Sequence, residues 1–115
     1  MRNKLLSIIE SPYAGDRERN RIYLQRAIRD SVVRGELPFA SHGFFTFIYD
    51  DLKPEERQLG INLGYGFWAF AERVVFYIDY GMSNGMQAAQ RRLIDQYPMM
   101  RTQLRRIGKN EEPVD

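Results

Sequence analysis

The sequence predicts an α/β domain built on a small parallel sheet flanked by helices. Three observations predict it. Short apolar runs rich in branched or aromatic residues stand at Leu5-Leu6-Ser7-Ile8-Ile9 and Arg73-Val74-Val75-Phe76-Tyr77-Ile78, each closed by a turn signal. A helical repeat separates the first run from the next short run, Leu37-Pro38-Phe39-Ala40, and a strand–helix–strand order with one crossover helix implies parallel pairing. Each run then leads into a polar loop, which is where ligands bind in parallel α/β sheets. A chain of 115 residues is long enough for one core and too short for two. One domain is expected over residues 1–109, with an acidic, disordered tail at 110–115.

The elements follow in order. Residues 5–9 stop at Glu10-Ser11-Pro12 and suit a buried parallel strand. From about Asp16 to Arg34, the residues Ile22, Leu24, Ala27, Ile28 and Val32 recur at helical spacing, with Asp16 as cap and Gly35 as stop. Residues 37–40 form the second strand. Phe44-Phe45-Thr46-Phe47-Ile48-Tyr49 has no clear alternation and reads as a loop or short helix lining a cleft. Pro54 with Glu55 and Glu56 opens a helix expected to reach about Glu72, because proline suits the first turn and acids there complement the helix dipole. Gly60, Gly64 and Gly66 weaken that helix and suggest close packing, with a homodimer as one way to supply the partner. Residues 73–78 are the best strand in the chain. Ser83 caps a helix that continues to about Gln96, where Pro98 breaks it. Residues 98–107 read as a further basic helix.

Composition narrows the function. Hydrophobic residues at 43% against 28% charged are globular proportions. With no cysteine and one histidine, neither a disulfide framework, a thiolate metal site nor a histidine cluster can be built, so no metal or cofactor is expected. The apolar stretch before Glu10 is too short for a signal peptide or a membrane span, and a soluble cytoplasmic protein with no membrane partner is expected. Net charge is +2, yet Arg91, Arg92, Arg101, Arg105, Arg106 and Lys109 face only Asp95 across residues 91–109. That asymmetry leaves two readings, a solvated surface or a contact for a host protein or nucleic acid.

Three polar clusters fall at the expected strand ends: Ser11-Pro12-Tyr13-Ala14-Gly15-Asp16, Ser41-His42, and Asp79 to Met86. Each has a plain structural alternative. Ser11 and Asp16 can cap a helix, a lone histidine is commonly structural, and Ser83-Asn84-Gly85 can be a turn. The functional reading of the third cluster is an anion site, since a helix N-terminus offers free N–H groups, Ser83 a hydroxyl, and Gly85 close approach. Glu55, Glu56 and Arg57 read as a solvated first turn.

Taken together, Ser11-Pro12-Tyr13-Ala14-Gly15-Asp16 with Asn20, Gly35 with Pro38, Ala40 and His42, Asp50-Asp51, Pro54-Glu55-Glu56-Arg57 with Gly60, and Ser83 with Gly85-Met86 resemble the nucleoside 2-deoxyribosyltransferase-like proteins, in particular a small branch common in bacteriophage genomes. The resemblance spans roughly residues 5–93. It implies a Rossmann-like three-layer fold and a nucleoside or nucleotide ligand held by Ser11, Tyr13, Gly15, Asp16, His42, Ser83, Asn84, Gly85 and Met86, with Tyr13 stacking on base or sugar. If the chain is phage-encoded, it implies the host cytoplasm. In that family a glutamate attacks or stabilises the anomeric carbon. The branch pattern reads Ser, any, Gly, Met, any, any, Glu, and its last position here is Ala89, so a binding protein with lost or altered catalysis is expected. The alternatives are an active nucleotide N-glycosidase using Asp79, Asp16 or Glu10 instead, and an interaction or inhibitor protein acting through the basic C-terminal segment. The family also closes with a short apolar strand, which the basic residues 98–107 do not resemble.

Overall fold

The computed structural model describes residues 6–107. The expected tail at 110–115 and Lys109 lie outside them. β1 (Leu6–Glu10) and β3 (Arg73–Tyr77) form the centre of a four-stranded sheet, with β2 (Leu37–Phe39) outside β1 and β4 (Arg101–Arg105) outside β3. Every pairing is parallel. α1 (Arg17–Val33) connects β1 to β2. α2 (Ser41–Phe44), a 3-10 turn (Phe45–Phe47), α3 (Pro54–Gly66) and a second 3-10 turn (Phe67–Phe70) lie between β2 and β3, and α4 (Asn84–Gln96) connects β3 to β4.

The pleat sorts the central strands into two faces. Ile8, Val74 and Phe76 pack against Trp68, Met86, Ala89 and Leu93 on one side, whereas Ile9, Val75 and Tyr77 pack against Tyr23 and Ala27 of α1 on the other. The result is a Rossmann-like three-layer α/β fold, as the strand runs predicted. Burying a side chain such as Ile9, Phe76 or Trp68 contributes roughly 1.5–3 kcal/mol each, so the two small cores carry most of the stability.

Local chemistry sets the helix limits. The Asp16 side chain accepts from the Arg19 N–H, and α1 closes at Gly35, whose φ of +86° favours glycine. The third helix stops at Gly66 and does not reach Glu72 as an α-helix. The chain tightens instead into the 3-10 turn that carries Trp68 into the core, a tertiary contact that outweighs helical continuation. Residues 41–47 are a short helix and a turn, matching the loop-or-helix reading.

One expectation is corrected. Residues 101–105 are a parallel edge strand and not a basic helix. After Pro98 the turn is sealed by the Met100 N–H donating to the Tyr97 carbonyl, and the open edge of β3 pairs each following residue. The polar sequence is tolerated because alternate residues of β4 face a charged network and not an apolar layer. Of the α3 glycines, Gly64 packs closely within the chain: a Cβ there would stand 2.5 Å from Ser41 Oγ, so glycine lets α3 lie against α2.

Candidate functional site

The strand order runs from β1 outward to β2 on one side, then crosses back to β3 and on to β4. The chain therefore reverses direction between β1 and β3, and the loops leaving these two strands part from each other there. Such a switch point opens a crevice at the carboxyl ends of parallel strands. The loop after β1 carries Ser11 to Asp16, and the loop after β3 carries Asp79 to Ser83. Two of the three predicted clusters thus flank one position.

The Ser41-His42 cluster, after β2, joins the first of these loops directly. Ser11, 5% exposed, has its Oγ 2.8 Å from Nε2 of His42. The Tyr13 ring meets the His42 ring edge-on with centroids 6.3 Å apart. Burial pushes the imidazole down to about 4, so His42 is neutral at physiological pH. It can position the Ser11 hydroxyl and take or give one hydrogen bond to a ligand. No carboxylate orients its other ring nitrogen among the described residues, which leaves the pair without the third member of a nucleophilic triad.

Backbone and side-chain ties hold the loop in place. Asn20, 2% exposed, donates from Nδ2 to the carbonyls of Tyr13 and Ala14, which explains why an amide belongs in the first turn of α1. Gly15 takes a φ of +95°. Arg17 lies over the Tyr13 ring and bonds Asp51 at 2.8 Å, linking this loop to the segment before α3. Glu56 accepts from the Asp50 N–H, so that acid stabilises a turn.

The loop after β3 is anchored from the opposite layer. The Tyr23 hydroxyl donates to Asp79, which also accepts from the Ile107 N–H, and the Asp79 N–H donates back to the Tyr23 oxygen. Burial and the Asp79 carboxylate hold the Tyr23 hydroxyl protonated. Tyr80 packs on Tyr23 and beneath the Arg19 guanidinium. Asp79 is therefore a structural acceptor and Asp16 a helix cap. These two carboxylates proposed for chemistry both have local structural duties. Ser83 caps α4 by accepting from the Met86 N–H at 3.3 Å, and Asn84 begins the helix. A Cβ on Gly85 would meet nothing within 4 Å, so that side of the helix start is open. Met86 and Ala89 do not share the opening; both are 1% exposed and sit in the apolar core.

The third carboxylate weighed for chemistry is Glu10. It closes β1, opposite Phe76 of β3, and pleating puts it on the same face as Leu6 and Ile8, towards α3 and α4. Its carboxyl makes no hydrogen bond or ion pair among the described residues, and burial pushes it up to about 8. Its side chain nonetheless keeps some solvent exposure. Tyr65 of α3 responds to it: burial raises the Tyr65 hydroxyl, the Glu10 charge raises it further, and Arg92 opposes both. Arg92 itself lies over the Tyr65 ring at 4.2 Å. The sequence marked Glu10 as a charged residue terminating an otherwise apolar strand and as one candidate to replace the missing glutamate.

The basic C-terminal residues do not form one surface. Arg105 is 7% exposed and bonds Glu36 through two nitrogens, Arg101 pairs with Glu72 at 3.4 Å, and Arg106 reaches the Ile78 carbonyl. Arg105 is thereby removed from any contact with a partner. A separate concavity of about 580 Å³, lined by Glu72, Tyr97, Met100 and Arg101 among others, lies at the amino ends of β3 and β4, away from the switch point. Among the described residues no cluster of three or more histidine or acidic side chains could hold a metal ion, and no helix is long and apolar enough to cross a membrane.

Residues 5–102 match the family described as "Domain of unknown function (DUF7768)", and since that span is most of the chain, the protein belongs to this family. No curated protein and no solved structure matches it.

Proposed function

We propose that this DUF7768 chain binds a nucleoside or nucleotide at the carboxyl edge of its sheet, with N-glycosidase or deoxyribosyltransferase ancestry and without the chemistry typical of that ancestry. The observation that carries the reading is the contact of two loops at the carboxyl edge of the sheet. Ser11 and Tyr13 of the loop after β1 meet His42, which follows β2, and the Ser83-capped α4 follows the neighbouring β3. A hydroxyl, a neutral imidazole and an aromatic ring are suited to sugar hydroxyls and a base. The open backbone at Gly85 and the dipole of a 13-residue helix suit a phosphate.

The loss of chemistry follows from Ala89. The resemblance asks for a glutamate there, and the position is occupied by a methyl group within the apolar core. Thermal-shift screening with nucleosides and nucleoside monophosphates tests the binding, because a ligand held only by the folded state raises the melting temperature. Incubation with nucleoside monophosphates, followed by chromatography for free base, tests the chemistry. A melting temperature indifferent to the whole panel would overturn the binding reading, and robust base release would overturn the loss of catalysis.

A further inference from the structure

We propose that the Glu10 carboxyl reads the base of the bound nucleotide by donating its proton in a hydrogen bond to an acceptor atom on the ring. The inference rests on the nucleotide-binding reading and adds to it the group that selects the ligand.

Position comes first. Glu10 is the last residue of β1 and faces Phe76 across the β1–β3 pairing, which places it at the switch point itself. It precedes Ser11, whose hydroxyl is held by His42. Alternation along the strand sends Ser11 and Glu10 to opposite faces, so the pair brackets the carboxyl edge: hydroxyl and imidazole on one side, carboxyl on the other. An acid at the end of a buried strand, with some exposure left, has only the crevice to address.

The surroundings keep the acid unpaired. α2 brings His42, which is neutral and engaged with Ser11. From α3 comes Tyr65, a phenol that stays protonated. α4 supplies Arg92, the one cation of this group, and its guanidinium is turned onto the Tyr65 ring and makes no ion pair with Glu10. β3 contributes Phe76, without charge. No group here supplies the cationic partner that a buried carboxylate needs, so the neutral acid is the stable form, with its carboxyl pushed up to about 8. A protonated carboxyl is a hydrogen-bond donor, as a carboxylate is not. Ring nitrogens and exocyclic carbonyls of the bases are acceptors, so the chemistry is complementary and is lost when the proton is lost.

The test uses 2′-deoxyadenosine and 2′-deoxycytidine 5′-monophosphates, whose bases do not titrate near neutral or mildly alkaline pH. Calorimetric titration of the wild-type chain is expected to give affinity about tenfold weaker at about pH 9 than at about pH 7, the ratio of protonated carboxyl for a group titrating near 8. Glu10→Gln keeps a donor that cannot ionise, so it should bind at both pH values with less than about a twofold difference. Glu10→Ala should bind about tenfold more weakly than wild type at about pH 7, as loss of one buried hydrogen bond requires. In parallel, carbon-13 NMR of glutamate-labelled protein should show one carboxyl titrating far above the others, absent in Glu10→Gln. A wild type that binds equally well across this range, or an NMR titration with no high-titrating carboxyl, overturns the proposal and leaves nucleotide binding standing. Failure of both nucleotides to bind at any pH overturns both.

Discussion

Two polar clusters lie on the same strands, one on the α1 face and one at the carboxyl edge, and they are built by opposite rules. On the α1 side, Glu36, Arg105, Arg73, Tyr77, Asp30 and Ser31 form a network in which each charge meets a partner. Arg105 bonds Glu36 through two nitrogens and the Tyr77 hydroxyl through one, Tyr77 donates to Asp30, and Ser31 donates to Glu36. Burial pushes the Glu36 carboxyl up, but bonds from Arg105 and Ser31 and the charges of Arg105 and Arg73 outweigh it, so Glu36 stays below its ordinary value. At the carboxyl edge, Glu10 and His42 answer burial by becoming neutral. Similar residue types thus serve as a brace where ion pairs form and stay as neutral polar groups where no ion pair offsets burial.

The largest expected effect tests the floor of the recognition side. Ala89→Glu would place a carboxyl among Trp68, Phe76 and Leu93, where no partner waits. It should destabilise the protein by several kcal/mol, on the order of 4, and should not restore catalysis. Chemical denaturation decides; unchanged stability would mean that position 89 opens to the crevice after all.

Next comes the brace. Arg105→Ala leaves Glu36 buried without its main partner and should cost about 3 kcal/mol, whereas replacing both with neutral residues of similar shape should recover much of that. Equal losses in the single and double variants would show that the side chains matter for shape and not for charge.

Glu36 and Glu10 should also give opposite pH signatures. The Glu36 carboxylate binds protons less readily folded than unfolded, so its contribution is present above the ordinary carboxyl value of 4.5 and is lost as pH falls below it. His42, neutral in the fold, adds a loss that begins as pH drops through 6.5 towards about 4. Glu10 runs the other way: its contribution is complete below 4.5 and fades as pH rises through about 8. Denaturation curves of wild type and Glu10→Gln should diverge progressively as pH rises from 4.5 to about 8 and no further above it, with roughly 2 kcal/mol of the divergence falling above about pH 6.5. Parallel curves would place Glu10 in water.

The smallest effect concerns the phosphate. Ser83→Ala combined with Gly85→Val should weaken nucleoside monophosphate binding by roughly tenfold, about 1.5 kcal/mol, and leave nucleosides nearly unaffected. Since a Cβ at 85 meets nothing within 4 Å, the fold should tolerate the valine. Equal losses for both ligands would show that the turn shapes the site without touching phosphate.

The sequence by itself determined the strands, the crossover and the caps, because these depend on neighbours in the chain. Apolar runs bounded by turns, Asp16 and Ser83 one residue ahead of their helices, and Gly35 at a positive φ all act over a few residues. It also marked Ser11, Tyr13 and His42 through their places after strands. Only the tertiary structure decided the rest, because those outcomes depend on what stands opposite. The basic residues 101–105 became a strand since β3 offered an unpaired edge and Glu36 offered a charge. Gly64 of α3 met Ser41 of α2, and Ala89 and Met86 turned into the core. Glu10 is the sharpest case. A glutamate in a list of residues is an ordinary anion, and it is burial without an ion pair among the described residues, visible only when strands and helices are assembled, that makes it an acid holding its proton.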